Sequence, residues 1–291
     1  MKSSPFTYHR PASRAEMLSL LQTLDNARLL AGGQSLMPML NLRIAAPDHL
    51  IDLNSVAGLG DIEVAEGHLR IGTMVRQRAL ERSDLVNQHM PIFGEALHHI
   101  GFQQTRNRGT VGGSIAHMDP TAELPVVALA TDAMFVLESV RGQRVIAAET
   151  LSTGYLTTQI EPDEALVRID VPIWSQHHGC AFEEVTRRGE SFAIVSVAAL
   201  VELSPEGAVA RAAIAVGGLV EAPQRVKAGE AALIGHHPSE DDIRAAAQAA
   251  VALPADSDIY APADYKQHLA GVLSERALRR AITRAESKMH V

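Results

Sequence analysis

The segment LAGGQSLMPM, residues 30–39, ends an apolar run in two adjacent glycines and follows them at once with a glutamine and a serine. The pattern returns in GTVGGSIAH, residues 109–117. A glycine pair after a strand lets the backbone take φ > 0, where a Cβ would clash. Consecutive amide N–H groups then turn into one concavity, which suits an anion. A helix starting immediately afterwards adds its unbonded first-turn amides and the positive end of its dipole. Gln34 and the hydroxyls of Ser35 and Ser114 supply further donors. Two such loops converging fit two linked phosphates, as a dinucleotide carries. By spacing alone, a pair of ordinary turns remains an equal alternative. A third pair, Gly217-Gly218 in VGGLVEAP, reads as a strand-end turn. The chain contains neither the G-x-G-x-x-G of a Rossmann site nor the G-x-x-x-x-G-K-[ST] of a P-loop.

The rest of the chain frames these loops. RAEMLSLLQTL (14–24) has helical apolar spacing, ARLL leads as a strand into the first pair, SLMPMLNLRI is a short helix with Ser35 as N-cap, and HLIDL (49–53) is a strand. Pro38 is tolerable in the first helical turn, where its missing amide has no partner. A second unit begins near Asn54. HLRIGTM (68–74) is a strand, VRQRALERS a helix capped by Thr73, and IFGEALHHIGF (92–102) helical. ELPVVALATDAMFVLES (123–139) joins a helix to a strand, and QRVIAA (143–148) and ALVRIDVPI (165–173) are strands. WSQHHGC (174–180) is a connection. AFEEVTRR, FAIVSVAALVEL and AVARAAIAVGGL then form a meander turning at SPEG, followed by three helices, the last from Pro262 to Ala285. Helices and strands without a regular β–α–β repeat indicate an α+β fold.

Composition removes several classes of function. The 291 residues suffice for two domains, and a hydrophobic content of 46% is that of a soluble globular chain. No apolar run approaches the roughly 18 residues of a membrane span, and MKSSPFTYHRPAS lacks the apolar core of a signal peptide, so a cytoplasmic location is expected. The lone Cys180 excludes an intramolecular disulfide, a Cys-rich zinc site and an iron–sulfur cluster on this chain; it reads as a buried apolar filler. The histidine pairs 98–99, 177–178 and 236–237 diverge on a strand or a helix, so no metal site is expected. A net charge of −8 without a basic block argues against nucleic acid.

Four segments carry a family resemblance. LAGGQSLMPMLNLRIAAPDHLIDL and QTRNRGTVGGSIAHMDPTAELPVVALA resemble the two flavin-binding segments of the FAD-binding medium subunits of molybdenum hydroxylases, the xanthine dehydrogenase and carbon monoxide dehydrogenase family. TRRGESFAIVSVA and ADYKQHLAGVLSERALRRA resemble that family's C-terminal domain. The resemblance implies a two-subdomain FAD-binding domain of PCMH type over 1–176, divided near 54 into 1–54 and 55–176. A C-terminal domain over 177–291 would hold a three-stranded antiparallel sheet and a helical bundle.

It also implies residue roles. The first loop would contact FAD through Ala31, Gly32, Gly33, Gln34 and Ser35, and the second through Thr110, Val111, Gly112, Gly113 and Ser114. Glu123 matches an acidic position near the adenosine part. Phe192 matches an aromatic, often tyrosine, lying against the flavin ring. Glu123 as a plain helix-start carboxylate and Phe192 as a core strand residue are the alternatives. Arg187 and Arg188 match a nearby basic pair, Arg106 and Asn107 would brace the second loop, and His117 would sit close to a non-covalently held cofactor. No residue of this chain is expected to be catalytic toward the organic substrate. The implied function is electron transfer. Hydroxylation would occur at a molybdenum cofactor on a large subunit, and electrons would pass through two [2Fe–2S] clusters on a small subunit to FAD here, then to NAD or oxygen, in a dimer of heterotrimers. A stand-alone FAD-dependent oxidoreductase and a non-catalytic flavin-binding protein are the alternatives.

Overall fold

The computed structural model describes residues 2–289. Its first lobe is a three-stranded parallel sheet in the order β1-β3-β2, built from β1 (Thr7–His9), β2 (Ala27–Leu30) and β3 (His49–Asp52). Parallel neighbours require crossovers, and α1 (Arg14–Thr23) and α2 (Leu36–Asn41) supply them. Ser13 caps α1, its hydroxyl accepting from Glu16 N at 3.2 Å. The strand β1 escaped the sequence reading, because three residues of TYH carry no period.

The middle lobe holds an antiparallel sheet in the order β4-β5-β10-β6-β7, from β4 (Ile62–Ala65), β5 (His68–Gly72), β6 (Met134–Ser139), β7 (Gly142–Ala147) and β10 (Ala165–Pro172). Between β5 and β6 run six helices: α3 (Gln77–Glu81), α4 (Asp84–His89), α5 (Ile92–His99), α6 (Gln103–Arg108), α7 (Val111–His117) and α8 (Glu123–Ala130). A short α9 (Ala148–Leu151) and the hairpin β8 (Ser152–Gly154)–β9 (Thr157–Thr158) precede β10. Thr73 does not cap the helix that follows it. Residues 72–75 form a turn, Val75 N donating to Gly72 O at 3.1 Å, so α3 starts later with Arg76 in the cap position.

The last lobe has β11 (His178–Thr186), β12 (Ala193–Leu203) and β13 (Val209–Gly217) as long antiparallel strands, with the two-residue β14 (Gln224–Arg225) extending the edge. Strand β11 begins at His178, inside the stretch read as a connection. Helices α10 (Lys227–Leu233), α11 (Glu240–Val251) and α12 (Ala263–Met289) cover one face. The unbroken apolar run of β12 follows from burial on both sides. Ala198 and Leu200 join the core shared with α5, α8 and the middle sheet, while Val195, Val197, Ala199 and Val201 pack toward α11 and α12. All eight residues of α8 are buried between the middle and last lobes. The first lobe packs α1 and Ile51 against the opposite face of the middle sheet, at Val136 and Val167.

Candidate functional site

Both glycine segments line one cavity of about 770 Å³, within the roughly 300–1,000 Å³ usual for small-molecule and cofactor sites. Ala31, Gly32, Gly33, Gln34, Ser35, Thr110, Gly112, Gly113, Ser114, Glu123 and Phe192 all line it. Val111 does not: its side chain is buried in the core.

The two segments are built differently. In the first, Gly33 takes φ +73°, the left-handed turn expected of it. Among the described residues, the amides of Gly33, Gln34 and Ser35 donate to no protein acceptor, so three donors in succession remain for a ligand. Ser35 occupies the cap position of α2 but has helical torsions, φ −94° and ψ −46°, and makes no capping bond. A capping side chain needs an extended backbone; without one, the hydroxyl of Ser35 stays free.

The second pair forms no such turn. Gly112 and Gly113 lie within the first turn of α7, neither with positive φ. Their amides are already bonded: Val111 N to Val75 O at 3.0 Å, Gly112 N to Thr73 O at 2.9 Å, and Gly113 N to the capping Thr110 Oγ1 at 3.1 Å. The reading of a second amide-lined anion turn is thereby corrected. These glycines serve close approach instead. A Cβ on Gly112 would lie 1.7 Å from Thr73 Oγ1, and one on Gly113 would lie 2.7 Å from the capping Thr110 Oγ1, with Ala31 Cβ of the first loop at an ordinary 3.5 Å. Gly32 does the same from the other side, its absent Cβ leaving room for Arg108 O at 2.4 Å. Gly32 thus lets the first segment touch the second, while Gly112 seats the second against Thr73. The ligand-facing group left on the second is the hydroxyl of Ser114.

Glu123 heads α8 at the cavity wall and is 8% exposed. Burial pushes its carboxyl up to about 7; the amide of its own helix start opposes this, and the charge of Asp119 adds to it. Behind it, Glu184 of β11 has a side chain 1% exposed, and neither carboxyl oxygen finds a hydrogen-bond partner. Burial, then the charge of Glu123, pushes this carboxyl up to about 9. Phe192 precedes β12 and is 70% exposed at the cavity, not packed in the sheet.

Arg106 ties α6 to the turn before it and to α3, its Nη1 donating to Ile100 O and Gly101 O at 2.9 and 2.8 Å and its Nε to Glu81 at 3.3 Å; neither it nor Asn107 makes a side-chain hydrogen bond to residues 109–114 among the described residues. His117 reaches the cavity, whereas Arg187 and Arg188 do not line it; the Arg187 guanidinium lies over the Tyr260 ring, 5.7 Å from its centre. Cys180 is buried in the core, and burial raises its thiol to about 12. Sequence reasoning missed Thr73 and Gln77, which receive the second segment, and the exposed Phe102 at the rim. None of the three lies in a motif.

Comparison with known proteins shows the family of the chain. The family described as FAD binding domain in molybdopterin dehydrogenase matches residues 4–174, and the CO dehydrogenase flavoprotein C-terminal domain matches residues 180–281. The chain belongs to the FAD-binding medium subunits of the molybdenum hydroxylases. It is 39% identical to the 6-hydroxypseudooxynicotine dehydrogenase complex subunit alpha of Paenarthrobacter nicotinovorans, over 98% of this chain and 97% of that one. It is 37% identical to the carbon monoxide dehydrogenase medium chain of Hydrogenophaga pseudoflava, over 96% and 98%. The carbon monoxide dehydrogenase structure from H. pseudoflava lacking the Mo-pyranopterin moiety superposes with a TM-score of 0.94 at 38% identity, over 98% of this chain and 99% of that one. As a medium subunit the chain is an oxidoreductase component that binds FAD. The site fits that cofactor: three adjacent free amides, two free serine hydroxyls and a cavity of cofactor size face one another across the two loops.

Proposed function

We propose that this chain is the electron-transferring medium subunit of a three-subunit molybdenum hydroxylase, lying between the two [2Fe–2S] clusters of a small subunit and an external acceptor such as NAD or oxygen. The organic substrate would be hydroxylated on a large subunit carrying the molybdenum cofactor, in a cytoplasmic dimer of heterotrimers. The observation that carries this reading is the convergence of both glycine segments on one cavity. The names of the relatives, which are subunits or chains of dehydrogenases, support it, as does the absence among the described residues of any helix able to cross a membrane.

FAD bound there supplies a carrier able to take up and release electrons. The residues of this chain hold and orient it. Ala31 to Ser35 present their amides and the Ser35 hydroxyl to the pyrophosphate. Thr110, Gly112, Gly113 and Ser114 close the opposite side, the Ser114 hydroxyl facing the cofactor and Val111 buried behind them. Glu123 accepts from a ribose hydroxyl of the adenosine part. Phe192 lies against the isoalloxazine and shields it from water.

Purification of the chain from its native host tests the reading. Molybdenum and about four iron atoms should accompany each flavin, through a stable interface of on the order of 800 Å² or more per partner. Substrate should bleach the flavin of the complex, whereas the isolated chain should respond to dithionite only. A metal-free chain that oxidised the organic substrate unaided would replace this reading with a stand-alone flavoenzyme. Phe192→Ala should shift flavin fluorescence and reduction potential while FAD stays bound, because the phosphate grip lies elsewhere. An unchanged spectrum and potential would remove Phe192 from the ring.

A further inference from the structure

The two glycine segments are also tied together by side chains that belong to neither. Asn54, two residues beyond β3, donates from Nδ2 to Ala31 O at 3.1 Å and accepts at Oδ1 from Arg76 Nη2 at 2.5 Å. The other terminal nitrogen of Arg76 donates to Arg108 O, the carbonyl against which Gly32 packs. Arg76 also faces Thr110 across an isolated antiparallel bridge, and Gln77 N donates to Gly109 O at 2.9 Å. A continuous path thus runs from Ala31 O through Asn54 and Arg76 to Arg108 O. It joins the first lobe's loop to the middle lobe's loop.

Its direction is fixed by chemistry. The Asn54 amide nitrogen faces two oxygens, Ala31 O and Asp52 Oδ1, the latter at 2.5 Å. A flipped amide would set oxygen against oxygen there and nitrogen against the guanidinium. Arg76 is suited to the span because its rigid fork reaches two acceptors at once; lysine, a point charge, does not fix two directions. Both acceptors are neutral, and among the described residues no carboxylate pairs with Arg76 by direct contact. The charged groups that face it are Asp52 from the first lobe and Arg108 from the second.

We propose that Arg76 and Asn54 form a clasp that sets the spacing of the two glycine segments, and that this spacing controls how tightly FAD is held. Both are positioning residues, since neither lines the cavity. The proposal rests on the assignment of the two segments as the FAD cradle.

The test uses the full-length chain stripped of flavin and titrated with FAD, followed by fluorescence. Arg76→Lys and Asn54→Ala should each weaken FAD on the order of tenfold, about 1.4 kcal/mol. The double variant should be no weaker than the worse single one, because either change opens the same path. The melting temperature and far-UV spectrum of the FAD-free chain should stay close to those of the unsubstituted protein, since the bonds are solvent-exposed. Asn54→Ser, too short to join Ala31 O to Arg76 and adding no charge beside Asp52, should give the same weakening and stands in where Asn54→Ala fails to fold. Unchanged affinity in both single variants, or losses that add in the double, overturns the clasp. Gly33→Val in the same titration separates the two assignments. If it loses FAD while Arg76→Lys and Asn54→Ala keep it, the clasp alone fails; if it keeps FAD, cradle and clasp fail together.

Discussion

Gly33→Val yields a folded chain that no longer retains FAD. Gly33 sits at φ +73°, where an L-residue costs roughly 1–2 kcal/mol and a β-branched one more. Its Cβ would also lie 3.2 Å from Met37 Cγ and 3.3 Å from Leu30 Cδ1, tighter than ordinary contact. The loop relieves both by leaving the left-handed region, and the amides of Gly33, Gln34 and Ser35 then cease to face one ligand. FAD affinity should fall on the order of 100-fold, about 3 kcal/mol, read from flavin absorbance of the purified chain and from titration. Gly67 is the control. It holds φ +75° in the turn between β4 and β5, outside the cavity lining, and nothing lies within 4 Å of its missing Cβ. Gly67→Val should lose comparable stability yet keep its flavin. Equal flavin retention in the two variants would remove the first loop from the cradle.

The contrast between the two glycine pairs marks what a sequence can reveal. The letters located the cavity, because GlyGly followed by a helix is a local pattern and local patterns survive in sequence. They did not reveal that only Gly33 turns the chain, while Gly32 and Gly112 let neighbouring groups come close. That distinction depends on Thr73 and Arg108, which are distant in the chain and carry no motif. The same limit hid Asn54 and Arg76, whose contacts span 23 and 32 residues. It also misplaced the helix cap at Thr73, whose carbonyl instead receives Gly112 N. Strand β12 was legible for the opposite reason: burial on both faces writes a continuous apolar run. The exposed Phe192 just before it stood out only through family resemblance, since FAIVSV read alone makes it a core residue. The buried Glu184 alternates with Glu183 in an amphipathic-looking EE pair, and nothing local says which of the two turns inward.

That inward carboxyl and Glu123 give the FAD-free chain a stability that falls as pH rises. The Glu123 carboxyl is raised from 4.5 to about 7, so the folded state holds the proton more tightly than the unfolded state. The stabilisation is whole below about pH 4.5 and is lost as pH climbs through 7. The gap corresponds to about 3 kcal/mol, comparable to a substantial part of a domain's net stability. Glu184, raised to about 9, adds a second loss at higher pH. His99, 3.9 Å from it, offers no counter-charge, because burial pushes that imidazole below its ordinary value. Burial of the imidazoles of His99 and His178 acts in the opposite direction below about 6.5, so urea midpoints of the FAD-free chain should decline from about pH 6.5 to 8. Glu123→Gln should flatten that decline, gain up to about 3 kcal/mol at pH 8, and ease the ionisation of Glu184 by removing the neighbouring charge. FAD reverses the sign. A ribose hydroxyl donating to Glu123 favours the carboxylate, so FAD affinity should rise with pH through 7 and proton release should accompany binding. In Glu123→Gln the affinity should lose this pH dependence. A variant that kept both the stability decline and the pH-dependent affinity would show that Glu123 is not the titrating group and that the adenosine end of the cofactor lies elsewhere.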